Sequence, residues 1–84
     1  MQMSDMINEQ EYLPSEMVER ILLHEENPLK VWREYRGYTG TELAKKVGIS
    51  SAYLSDIENG KKDGSIKVLK AIAKALHVDI DDIV

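Results

Sequence analysis

Between Thr39 and Gly60, apolar residues recur at helical spacing in two short bursts separated by a turn signal. Leu43, Ala44 and Val47 fall on one helical face. Thr39 followed three residues later by Glu42 predicts a capping box, a reciprocal pairing that satisfies two orphan backbone donors. Gly48 stands where the chain needs a left-handed residue to leave that helix. Ser50 then caps a second helix with Leu54 and Ile57 inward, and Gly60 after Asn59 closes it. Two short helices joined by about three residues that include a glycine make a helix-turn-helix.

The flanks extend the helical pattern. Residues 1–11 are polar, with scattered Met and Ile and no sustained period, and read as a mobile arm. Pro14 and Ser15 have the form of a helix start; Met17, Val18, Ile21 and Leu22 make an apolar stripe opposite Glu16, Glu19 and Arg20, and the helix is expected to end near Glu25. Asn27-Pro28 starts the next helix, with Leu29, Trp32 and Tyr35 on its inner face and Gly37 at its end. Beyond the basic loop Lys61-Lys62-Asp63-Gly64, Ser65 caps a helix whose Ile66, Leu69, Ile72, Ala73 and Leu76 repeat at helical spacing. The expected fold is all-α.

The order of parts adds information: capping box, small Ala44 at the helix crossing, Gly48 turn, polar second helix, then Glu58-Asn59-Gly60-Lys61. It resembles the phage-repressor/Cro class of helix-turn-helix proteins, the xenobiotic-response-element-like family, from about Leu29 to Val84. The resemblance implies a five-helix repressor-like domain at 28–84, with His77–Val84 as its short last helix capped by Asp79, preceded by one extra amphipathic helix within an acidic segment 1–27. It places the second helix of the motif in a DNA major groove, with Ser50, Ser51, Ala52, Tyr53 and Asp56 facing the bases. It also sets Lys61, Lys62 and the backbone near Asn59 against phosphate, with the amides of Gly40 and Thr41 at the first core helix's start. Arg33 and Glu58 match a pair that bridges the first helix to the end of the reading helix and aims the arginine at phosphate. Two departures stand out. Gly40 occupies a position where the family commonly has a Gln, and the reading helix lacks the Arg, Gln or Asn that usually pair with guanine or adenine. Ser51, Ala52 and Asp56 offer a weak hydroxyl bond, a thymine-methyl contact and an acceptor for cytosine N4, so its readout is expected to be modest.

A net charge of −4 argues against a polyanion partner until its distribution is read. Residues 1–27 carry seven acids against Arg20 alone, whereas residues 28–76 carry ten bases against five acids. One part of the chain suits a polyanion and the other something basic. Lys67, Lys70 and Lys74 read as solvated surface, and Trp32 as core. Without cysteine there is neither a disulfide framework nor a thiolate zinc site. His24 and His77 are distant in sequence, His24-Glu25-Glu26 lacks ligand spacing, and no nucleophile elbow or phosphate-cradling glycine loop occurs, so neither an enzyme nor a cofactor is expected. No membrane-spanning run or signal peptide is read, and a cytoplasmic protein is expected.

These readings point to a sequence-specific DNA-binding regulator acting as a homodimer, with Ile80, Ile83 and Val84 as candidates for the dimer seam. The stretch from Pro14 through Arg33 resembles antitoxins partnered with small basic toxins of the RelE/ParE/HigB kind. That resemblance implies autorepression and neutralisation of a basic toxin through Met17, Val18, Ile21, Leu22, Glu16 and Glu19. The alternatives are a stand-alone phage- or plasmid-type repressor, and a helix-turn-helix interaction module that no longer reads DNA.

Overall fold

A computed structural model describes residues 15–84; the arm expected at 1–11 and the Pro14 start signal lie outside the described residues. Five α-helices follow one another: α1 (Ser15–Leu22), α2 (Pro28–Tyr35), α3 (Gly40–Val47), α4 (Ser51–Glu58) and α5 (Ile66–Leu76), closed by a 3-10 turn at Ile80–Asp82. No strand occurs among the described residues.

Local chemistry accounts for the boundaries. Asn27 Oδ1 accepts from the Leu29 and Lys30 amides ahead of α2, with Pro28 at the first helical position. The Thr39 hydroxyl accepts from the Glu42 amide while the Glu42 carboxylate accepts from the Thr39 amide, which completes the expected capping box of α3. Gly48 ends α3 at φ 80°, a left-handed conformation that turns the chain into α4. Ser50 and Ser65 cap α4 and α5 through the Tyr53 and Val68 amides. His77 closes α5 in the left-handed region, a role the apolar pattern did not announce.

The core gathers one stripe from each element. Leu29, Val31, Leu43, Leu54, Ile72 and Leu76 are fully buried, with Trp32, Ala44, Ile57, Leu69, Ala73, Ile83 and Met17 around them. Tyr35, expected inward, sits at the surface with its ring edge-on to Trp32 at 5.9 Å, and Val31 takes the interior position instead. Ile66 also faces outward, because it occupies the first position of α5, before the helix meets the others. The tail forms a single 3-10 turn that buries Ile83 and leaves Val84 exposed.

The first helix departs most from expectation. α1 stops at Leu22 rather than near Glu25, because Glu25 adopts a left-handed φ of 53° and the Glu26 amide reaches back to the Arg20 carbonyl. Its apolar stripe divides. Met17 is buried in the core and Ile21 packs against it, while Leu22 and the adjacent Leu23 are 69% and 72% exposed. One helical step is about 100°, so a helix lying on α2 through Met17 and Ile21 necessarily turns Leu22 away. Arg20 locks this placement: its guanidinium lies 2.7 Å from both the Glu26 and the Glu34 carboxylates. That hydrogen bond holds Glu26 below the usual carboxylate range.

Candidate nucleic-acid interface

α4 has a wet face and a dry one. Leu54 and Ile57 are in the core, while Ser51, Ala52 and Ser55 are exposed on the other side. Ser55 lies one turn after Ser51 and so shares its face; the sequence reading passed over it, although that i, i+4 spacing was available. The Ser50 hydroxyl is engaged as the cap of α4.

Two further residues assigned to the reading face also make structural contacts. Tyr53 is half-buried against the core, and its hydroxyl oxygen accepts from the Ser65 amide at 3.3 Å. The ring therefore ties α4 to the start of α5 instead of standing clear beside Ser51 and Ala52. The half-buried Asp56 lies 3.6 Å from Lys62 Nζ, and its carbonyl accepts from the amides of both Lys61 and Lys62. Lys62 Nζ also lies 5.6 Å from the centre of the Tyr53 ring. Both lysines are exposed and held against the end of α4 through their backbone. Asn59 is exposed, with its amide nitrogen donating to the Ser55 hydroxyl. On α3, Gly40 and Thr41 are its first two residues, half-buried and exposed respectively, where helical amides lack intrahelical acceptors.

Arg33 and Glu58 meet as expected, with Nε to Oε2 at 2.7 Å and a second bond from Nη2 to Oε1 at 3.1 Å. The remaining arm, Nη1, donates to the Tyr38 carbonyl at 2.8 Å. The guanidinium is buried with all three nitrogens engaged inside the domain, and it braces α2 against the end of α4. Its hydrogen bonds to Glu58 outweigh burial and raise its pKa.

Arg36 is a structural residue that sequence reasoning missed. Its Nε donates to the Leu76 carbonyl at 2.8 Å, and its guanidinium carbon stands 5.0 Å from the Trp32 ring centre. A cation there complements the carboxyl end of α5. Its four-residue spacing from Trp32 was a local hint; the contact with a carbonyl forty residues away was not. Among the described residues, no group of three His, Cys, Asp or Glu side chains could hold a metal ion.

The compact helical domain, its capped turn and the exposed start of α4 define a class. The helix-turn-helix family model matches residues 29–83, and the chain belongs to this family, in its Cro/C1-type branch. It is 44% identical over 57 residues to an uncharacterized HTH-type transcriptional regulator of Methanocaldococcus jannaschii, covering 68% of this chain and 86% of that protein. It is 35% identical over 54 residues to the antitoxin HipB of Escherichia coli, covering 64% of this chain and 57% of HipB, so it spans little more than half of that relative. The crystal structure of SinR, the master regulator for biofilm formation, in complex with DNA superposes with a TM-score of 0.61 at 34% identity, over 66% of this chain and 89% of that one. No helix of the described residues is long and apolar enough to cross a membrane.

Proposed function

We propose that this chain is a transcription regulator that binds an operator through the exposed start of α4. The observation that carries the reading is the pairing of a wet face, Ser51, Ala52 and Ser55, with two exposed lysines fastened to the same helix. Lys61 and Lys62, with the amides of Gly40 and Thr41 and the backbone near Asn59, hold phosphate and so set position; Ser51, Ala52 and Asp56 read bases. Such small side chains make few contacts per half-site, and a homodimer placing two copies of α4 about 34 Å apart supplies the rest.

The finer reading is that of an antitoxin that represses its own operon and neutralises a small basic toxin. Its supports are the likeness to HipB and the concentration of acids in residues 1–27.

Selection of duplexes from a random library identifies the operator. Lys61→Ala and Lys62→Ala then weaken binding to every sequence, each lowering the slope of log affinity against log salt by about one. Ser51→Ala and Asp56→Ala change base preference more than affinity. If all four variants bind the best operator like the parent, α4 is not the reading head.

A further inference from the structure

α1 has two sides with different employment. One is spent on the domain: Met17 is in the core, Ile21 packs beside it, and Arg20 clamps Glu26 and Glu34. The other presents Leu22 and Leu23, the two most exposed large apolar side chains among the described residues, with half-buried Val18 one turn before Leu22. Glu19 on the helix, three residues before Leu22, and Glu25 just after it are exposed near them. Arg20, the one base of the segment, is already neutralised by its two carboxylates.

From this arrangement we infer that the outward side of α1, centred on Leu22 and Leu23, is the docking surface for a basic protein carrying an apolar cleft. The inference rests on the partner-binding part of the reading above and moves its site from the Met17–Ile21 side to the opposite one. Charge selects the occupant. A second copy meeting this face across a two-fold axis would set Glu19 and Glu25 against the same acidic patch, and nucleic acid would meet the same repulsion. A cationic rim gains steering from these carboxylates while the leucines supply the desolvated centre. Because α1 is clamped to α2, its leucines are presented without further ordering of the helix, which lowers the cost of binding.

The test uses the full chain, isotopically labelled, titrated with a helical peptide of leucine and lysine that carries leucine on one face, and with its leucine–glutamate counterpart. The expected result is saturable perturbation of amides between residues 18 and 26 by the lysine peptide alone. Leu22→Ser with Leu23→Ser should weaken it by about tenfold or more, and Glu19→Gln with Glu25→Gln should weaken it and flatten its salt dependence. Both leucines are exposed, so an unchanged melting profile for their variant shows that the fold is intact. The proposal is overturned if the perturbations fall elsewhere, if the glutamate peptide binds equally well, or if the leucine variant binds like the parent. It is equally overturned if sedimentation shows a parent dimer that the leucine variant converts to monomer, because a second copy then covers the face. Operator binding, measured on the same samples, reports separately on the DNA reading.

Discussion

Arg33 and Glu58 face each other with only 10% and 8% of their side chains exposed. Burying both charges is costly, and the geometry compensates: a two-pronged contact between them and a third bond to the Tyr38 carbonyl. Removing one partner strands the other charge. Glu58→Ala should therefore destabilise the domain by about 3 kcal/mol, read as a lower urea midpoint with little change in slope, whereas a surface change such as Lys70→Arg should barely move it. Gly64 shows a different single-residue constraint. It lies at φ 79°, a left-handed conformation that favours glycine, and an added Cβ would stand 3.0 Å from Ile57 Cδ1, so a side chain there would strain the backbone and press on Ile57.

At the scale of elements, the unit that would meet DNA is α4 together with the loop to α5. Tyr53 joins them through the Ser65 amide, and Asp56 joins them through both lysine amides. This coupling makes Tyr53 a positioning residue. Tyr53→Phe deletes the acceptor for the Ser65 amide while keeping the ring beside Lys62. We expect faster hydrogen exchange at Ser65, a stability loss of about 1 kcal/mol and weaker operator binding across all sequences. Unchanged exchange at Ser65 would show that the hydroxyl does not hold the loop. The same element scale explains why the helix boundaries were readable: the caps at Asn27, Thr39, Ser50 and Ser65 each act within three residues.

For the whole molecule, the decisive question is whether α1 belongs to the domain or hangs from it. The structure makes Met17 a member of the one core, and a domain of this size has little stability to spare. Met17→Ala should cost about 2 kcal/mol, the lower end for a buried methionine because the edge of the core can collapse onto the gap. Val18→Ala, on the half-buried outer side, should cost much less. Chemical denaturation of the two variants checks this, and equal midpoints would mean that α1 does not contribute to the fold. The inner side of α1, through Met17 and Ile21, packs on the helix-turn-helix, and its outer side is the one offered to the proposed partner.

The sequence alone determined what depends on neighbours within a turn or two. The capping box, the Gly48 exit, the helical register of α3 to α5 and the uneven charge all act locally or by count, and they sufficed for the two helices of the helix-turn-helix and the turn between them. The Arg33–Glu58 contact was also foreseen, by resemblance to a family rather than by local physics. Tertiary structure decided which face of an ambiguous stripe was buried. On an eight-residue helix, Met17, Val18, Ile21 and Leu22 span too wide an arc to touch one neighbour, and only the Arg20 clamp and the shape of α2 chose Met17 and Ile21 over Leu22. It likewise turned Arg33 inward, sent the Tyr53 hydroxyl to Ser65 and carried Arg36 to the end of α5. The last two contacts join groups twelve and forty residues apart, where periodicity and spacing carry no distance information.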